Sequence, residues 1–255
     1  MSETAVLVHA DAEKLAQAAA ARIVVRLVDA QVARGYASLV LTGGRTADAI
    51  HRALRDCPAR DAVEWSRVDV WWGDERFLPR GHPDRNETQA RAALLETLAL
   101  DPTRVHPMPA SDGPDGDDPE AAAARYAQEL AKASRPARLP YFDLLMLSVG
   151  EDGHVASVFP EHPVAYETRP VSAVRGSPKP PPVRITLTLP TLNKAAEVWL
   201  LATSTEKAEA VGMALSGGPG PVQLPAAGVA GTERTLWLLD RAAAAHVPPA
   251  LRSLR

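Results

Sequence analysis

Apolar positions recur at three- and four-residue steps between Ala12 and Ala33, at Leu15, Ala18, Ala19, Ile23, Leu27 and Ala30. Gly35 follows as a stop, so the pattern predicts an amphipathic helix. A short apolar run from Ala37 to Thr42 then enters Gly43 and Gly44, and a second helical pattern runs from Thr46 through Leu54. This is strand, glycine turn, helix. The order repeats with Val68 to Trp72 as a strand, Glu87 to Leu98 as a helix and Phe142 to Val149 as an almost wholly apolar strand, while Glu197 to Ala202 and Thr235 to Leu239 supply two more. Strands that lack polar alternation are buried on both faces. The expected fold is therefore α/β: a doubly wound, mostly parallel sheet with helices on both faces, in a single domain over residues 1–255. No periodic self-similarity suggests a solenoid. Ser111 to Asp118 reads as an exposed loop before a helix near Pro119 to Ala133. Eight of the 23 prolines fall between Pro160 and Pro190, which predicts an extended, loop-rich flap beside the sheet.

Composition narrows the function classes. With 46% hydrophobic and 23% charged residues over 255 positions, the chain has the make-up of a globular protein, and fibrous or disordered classes are excluded. The formal charge of -3 without a long basic run argues against nucleic acid or an anionic membrane as partner. It leaves room for a small anionic ligand, which local basic groups decide. The one cysteine, Cys57, provides neither a disulfide framework nor a thiol metal cluster, as expected of a cytoplasmic protein. No apolar run reaches the ~20 residues of a membrane span, and no signal peptide is recognisable. No heptad or long apolar helix face asks for a second copy, so a monomer is expected.

In a doubly wound sheet, ligands bind beyond the carboxyl ends of the strands, which makes the residues just after each strand informative. The first such place is Leu41 to Thr46 (LTGGRT), where two glycines let backbone N–H groups approach an oxyanion and a helix start adds its positive end. Taken alone it reads as a tight turn rather than a cradle, because neither the dinucleotide nor the Walker pattern is present. The second is Val68 to Phe77 (VDVWWGDERF): Asp74, Glu75 and Arg76 leave the strand together, and Arg76 can grip a phosphate or carboxylate in bidentate fashion or serve a surface ion pair. The third is Asp143 to Ser157, where a buried strand ends at Gly150 and leads through Glu151, Asp152 and Gly153 to His154. A histidine flanked by carboxylates is the best general-base candidate in the chain. The other histidines, His9, His51, His82, His106, His162 and His246, read as surface or capping residues. A metal site is not expected, since HExxH and paired Cys/His spacings are missing. Lys207 in ATSTEKAEAV opens a helix after a strand and would complete a phosphate site, although alone it reads as an exposed helix lysine.

In this order, LTGGRT, WWGDERF, DLLMLSVGEDGHVASVFP, RITLTLP and TSTEKAEAV closely resemble the 6-phosphogluconolactonase family over most of the chain. The resemblance implies a cytosolic enzyme of the pentose phosphate pathway that opens 6-phospho-D-glucono-1,5-lactone without a cofactor. It also implies a fold similar to sugar-phosphate isomerases and glucosamine-6-phosphate deaminases. On that basis His154 activates water with Asp152 or Glu151 as its partner, and Arg76 or backbone N–H groups near Gly150 to Gly153 receive the oxyanion. Gly43, Gly44 and Thr46 cradle the phosphate, with Arg76 and Lys207 supplying charge. Asp74 and Arg184, the latter at the head of RITLTLP, complete the expected substrate contacts.

Two departures qualify the match. Arg45 and Ala47 flank Thr46 where many relatives carry serine and proline, so Arg45 either replaces a hydroxyl contact by charge or points to solvent. The deaminases carry a carboxylate five residues after the histidine, and here that place is Phe159. The expected partner is a phosphorylated sugar lactone. The alternatives are a sugar-phosphate isomerase or deaminase, and a sensor that kept the cradle without the chemistry.

Overall fold

The protein is described by a computed structural model covering residues 3–133 and 139–252. Six parallel strands form the main sheet in the order β1-β9-β8-β5-β2-β3. They are β1 (Glu3–His9), β2 (Ala37–Leu41), β3 (Val68–Trp72), β5 (Leu144–Ser148), β8 (Glu197–Ala202) and β9 (Arg234–Asp240). All five residues of β2 are buried, as are four of five in both β3 and β5, which is why these strands carry no polar alternation. Strand β1 escapes the sequence pattern because only Ala5 and Val6 are buried along it, as befits an edge strand.

Helix α1 (Ala12–Arg34) starts where the Asp11 carboxylate accepts the Lys14 amide, and it ends at Gly35 with φ 79°, a conformation that favours glycine. It packs along α2 (Arg45–Arg55), the helix that leaves the glycine turn. Helix α3 (Asn86–Ala93) is shorter than its sequence pattern. At Leu94 the backbone leaves the helical region with φ -146°, and a 3₁₀ turn over Leu95–Thr97 follows, which buries both Leu94 and Leu95.

The proline-rich region departs from the expected flap. Its segments β6 (Val171–Val174) and β7 (Arg184–Leu187) join β4 (Asp74–Arg76) in a second, antiparallel sheet of order β4-β7-β6, on which α4 (Pro119–Ala133) packs. The prolines explain how this is possible. Pro170 directly precedes β6, and Pro178 and Pro180 to Pro182 lie in the connection to β7, so no sheet hydrogen bond is lost to them. Gly73 welds the two sheets together: its amide donates to the Leu41 carbonyl at 2.9 Å, and its carbonyl accepts the Leu187 amide at 2.8 Å. The chain is completed by the short helices α5 (Leu189–Leu192) and α7 (Pro249–Arg252), with α6 (Ala208–Ser216) following β8.

Sheet order locates the crevice. From β2 the chain winds outward to β3, whereas from β5 it winds the other way to β8 and β9, so the winding reverses between β2 and β5. Those two strands pair through Leu39 with Leu144 and Val40 with Leu145, and past that register Ser148 reaches Thr42 and Gly43 by hydrogen bonds that involve side chains. A ligand site is expected outside their carboxyl ends.

Two histidines differ from the surface role expected of them. His106 stacks on Trp71 with ring centroids 3.8 Å apart and hydrogen-bonds Glu129 at 2.8 Å. His51 lies inside α2 at 3% exposure, and burial pushes its imidazole down to about 4, with Asp48 opposing weakly. The folded state therefore holds His51 neutral, whereas the unfolded chain takes a proton below the ordinary 6.5. Stability is lost as pH falls from 6.5 toward about 4, by at most roughly 3 kcal/mol. A His51→Gln variant should show a shallower fall of Tm across that window, and parallel curves for the two proteins would contradict this.

Candidate active site

Loops from β2, β4, β5, the β6–β7 connection and β8 converge on a cavity of about 270 Å³ at the crevice. Among the residues singled out from sequence, Gly43, Gly44, Arg45, Asp74, Arg76, Gly150, His154, Arg184 and Lys207 line it. Asp152, Thr46 and Gly153 stand behind the wall. Five lining residues are cationic, Arg45, Arg76, Lys179, Arg184 and Lys207, against two carboxylates, Asp74 and Glu151. A chain that is acidic overall thus concentrates positive charge here.

Strand β5 ends at Ser148, and the turn that follows presents His154. The imidazole Nδ1–H donates to Asp152 Oδ1 at 2.5 Å, and the same carboxylate oxygen accepts the His154 amide at 3.2 Å. Of the two carboxylates left open by sequence, Asp152 is the one that meets the ring. Burial raises the Asp152 carboxyl, yet the hydrogen bond and charge of His154, helped by Lys179, outweigh it and hold the group near 2. A carboxylate at Nδ1 fixes the tautomer that leaves Nε2 with a free lone pair. Gly150 is required by space, since a Cβ there would lie 2.0 Å from His154 Nδ1. The Gly150 amide donates to the His154 carbonyl at 2.9 Å and the Gly153 amide to the Gly150 carbonyl at 3.1 Å. These two N–H groups are spent on the turn, so an oxyanion donor from this stretch would be the amide of Glu151 or Asp152.

The glycine turn is oriented from both sides. Ser148 Oγ donates to the Gly43 carbonyl at 2.8 Å, and Gly44 adopts φ 98°, which favours glycine. The first intrahelical bond of α2 runs from the Asp48 amide to the Gly44 carbonyl at 3.0 Å, so the amides of Arg45, Thr46 and Ala47 have no helical acceptor. Eleven residues of helix stand behind them, giving a positive end beside the cavity. The Thr46 hydroxyl turns away and shares a hydrogen bond with the Thr203 hydroxyl at 2.9 Å, so only the backbone of Thr46 belongs to the cradle. The Arg45 side chain is 90% exposed and pairs with Glu206 at 3.6 Å at the rim.

The Asp74-Glu75-Arg76 segment divides its labour. Asp74 accepts the Ser157 hydroxyl at 2.5 Å and so ties β4 to the chain beyond His154. Glu75 is fully buried and accepts the amides of Arg76, Asn86 and Glu87 at 2.8, 2.6 and 2.8 Å, which caps α3. Burial pushes its carboxyl up to about 7, against the opposing pull of Arg85 and these amides. Arg76 donates to the Asp84 carbonyl at 2.6 Å and leaves its Nε, buried, without a partner at the cavity wall.

Sequence reasoning missed Asn86, Ser148 and Lys179, all of which line the cavity. The Asn86 amide nitrogen donates to the Asp74 carbonyl at 2.9 Å, and its Oδ1 rests against Gly43, where a Cβ would approach to 1.9 Å. Gly43→Ala must therefore shift the turn or Asn86. At least about a tenfold loss in kcat/KM is expected on the proposed substrate, because a displacement of ~1 Å at a site typically costs more than that. Unchanged kinetics would show that the turn is not part of the site. Arg184, expected as a substrate contact, is 5% exposed and lines the cavity; its Nη2 donates to the carbonyls of Lys179 and Pro180, each at 3.0 Å, and its Nε to that of Pro181 at 3.2 Å, while Nη1 stands 4.0 Å from Asp74. Its effect is to fix the segment that carries Lys179. Burial lowers the Lys207 ammonium, with Arg45 and Lys179 acting in the same direction. Among the described residues, no cluster of His, Cys, Asp and Glu could hold a metal ion, and no helix is long and apolar enough to cross a membrane.

A charged cavity at the winding reversal of a parallel sheet defines an α/β protein built around a small anionic molecule, and comparison with known proteins gives its family. The chain belongs to the glucosamine-6-phosphate isomerase/6-phosphogluconolactonase family, whose model matches residues 10–237. Within it, the chain is 61% identical over 256 aligned residues to the 6-phosphogluconolactonase of Streptomyces coelicolor, covering 98% of each chain. It is 48% identical over 240 residues to that of Mycobacterium tuberculosis, covering 93% of this chain and 96% of the other. The solved structure of 6-phosphogluconolactonase from Trypanosoma brucei superposes with a TM-score of 0.83 at 28% identity, over 97% of this chain and all of that one.

Proposed function

We propose that the protein hydrolyses 6-phospho-D-glucono-1,5-lactone to 6-phospho-D-gluconate by general-base catalysis. The relatives named above carry this activity in their names. The observation that carries the mechanism is that the Asp152-anchored imidazole and the amide cradle of Gly43 and Gly44 open into the same cavity.

The substrate phosphate lies at the N-terminal end of α2, against the amides of the glycine turn and the Lys207 ammonium. This places the lactone ring toward His154. His154 Nε2 removes a proton from a water molecule whose oxygen forms a bond to C1, and the imidazolium that results is stabilised by Asp152. The carbonyl oxygen becomes an oxyanion, for which Arg76 and Lys179 are the available side-chain donors. Loss of one such donor typically costs ~10²–10³ in rate. The tetrahedral intermediate collapses with cleavage of the bond between C1 and the ring oxygen, and that oxygen receives the proton held by His154. Atoms and charge balance without a cofactor.

Phe159, at the deaminases' acidic place, is 1% exposed and packs its ring 4.7 Å from that of His154, so that position presents an apolar wall. The test is to generate the lactone in situ and follow its opening with and without enzyme, beside an assay on glucosamine 6-phosphate. Saturable acceleration of the first and none of the second is expected. Ammonia release from the amino sugar, with no acceleration of lactone opening, would overturn the reading.

A further inference from the structure

We propose that Asp240 is a positioning residue for Lys207: it holds Ser204 in a backbone conformation that serine resists, and that conformation aims the lysine into the cavity. The inference rests on the reading of Lys207 as a holder of the substrate phosphate.

Strand β8 ends at Ala202, and within a few residues the chain must turn off the sheet edge and present Lys207 to the cavity before α6 begins at Ala208. The turn is made at Ser204, with φ 81° and ψ 156°. This region belongs almost wholly to glycine, because a Cβ crowds the backbone there, and a serine persists in it only when its surroundings hold it. Two contacts do so. Asp240, the last residue of the neighbouring β9 and 7% exposed, receives the Ser204 amide on both carboxylate oxygens at 3.1 and 3.3 Å. That carboxylate is fixed in turn by the Ala243 amide at 2.7 Å. On the other side, the Thr203 hydroxyl meets the Thr46 hydroxyl at 2.9 Å, which ties the same turn to the first turn of α2.

Lys207 depends on this mount. Its amide donates to the Ser204 carbonyl at 3.4 Å, and among the described residues no carboxylate forms an ion pair with its ammonium. The surrounding cations Arg45 and Lys179 repel it. Glu151 and Glu206 attract the ammonium without pairing directly with it, so its place follows the backbone, and a turn that relaxed to a negative φ would carry it off the phosphate site. The Asp240 charge acts on Lys207 through Ser204, without touching substrate.

The kinetics of Asp240→Ala, Ser204→Gly, the double variant and Lys207→Ala test this on two substrates, the phosphorylated lactone and glucono-1,5-lactone. For Asp240→Ala we expect KM for the phosphorylated lactone to rise about tenfold with kcat within about twofold, and kinetics on the unphosphorylated lactone to be unchanged. Ser204→Gly alone should match wild type. In the double variant it should restore most of the lost KM, because glycine adopts the turn without the clamp. Should Asp240→Ala not fold, Asp240→Asn, which keeps one acceptor, replaces it in both arms with a smaller rise and the same rescue. An unchanged KM, an equal loss on both lactones, or absence of rescue by Ser204→Gly overturns the proposal. If Lys207→Ala itself leaves KM for the phosphorylated lactone unaltered, the failure lies with the phosphate role of Lys207. If Lys207→Ala raises KM and the Asp240 variants do not, the positioning role alone fails.

Discussion

Replacing His154 with alanine should lower kcat for the phosphorylated lactone by about 10²–10⁴-fold, the range general-base catalysis commonly supplies. Binding of 6-phosphogluconate should change little, since the glycine turn and Lys207 are untouched, and product inhibition of the variant would show that the site remains formed. Asp152→Asn should move kcat in the same direction. An amide at that place can donate to Nδ1, which shifts the ring proton to Nε2 and removes the lone pair that accepts from water. Because Asp152 is held near 2, its charge persists through mild acid, and the pair is not broken by titration of the carboxylate. If the rate of His154→Ala equals wild type after spontaneous opening is subtracted, the base lies elsewhere.

The second large effect is expected at Arg184 and is mainly one of stability. The three carbonyls it binds lie in a proline-rich segment where few N–H groups are at hand to replace it, and its nearest anionic neighbour, Asp74, stands 4.0 Å away. Arg184→Ala removes three hydrogen bonds to carbonyls of a half-exposed segment and takes the cation from buried Asp74, a change that costs on the order of 2 kcal/mol. Denaturant unfolding should show that loss as a lower midpoint. A parallel fall in kcat/KM is expected as Lys179 loses its mount. Arg184→Lys should rescue little, because an ammonium on a flexible stem does not reproduce the fixed planar fork of a guanidinium. Wild-type stability in Arg184→Ala would contradict the bracing role.

Much of the main sheet was legible because burial on both faces leaves an unmistakable apolar run, as in β2 and β5, and because Gly35 stops α1. Edge strand β1 and the second sheet were not. Their residues are only partly apolar, and the pairing of β4 with β7 joins segments about a hundred residues apart, a relation no local window contains. The same holds for the site. The glycine turn, Arg76, His154 and Lys207 drew notice by following strands, and the family resemblance made site residues of those that were ambiguous alone. Asn86, Lys179 and Asp240 did not, since their roles come from what lies across the crevice or on the next strand. Arg184 lines the cavity as its place suggested, but its hold on three carbonyls of the proline-rich segment was not legible, since those lie in a connection no local pattern describes. Thr46 was expected in the phosphate cradle, and its hydroxyl is instead engaged with that of Thr203.

The most direct test of the central claim is a crystal structure with 6-phosphogluconate bound. The account requires the phosphate on the amides of the glycine turn beside Lys207, and the C1 carboxylate within about 3 Å of His154 Nε2, the reach of a general base. A product molecule lying the other way round, with its carboxylate on the glycine turn and its phosphate at His154, or one seated outside this cavity, would contradict it.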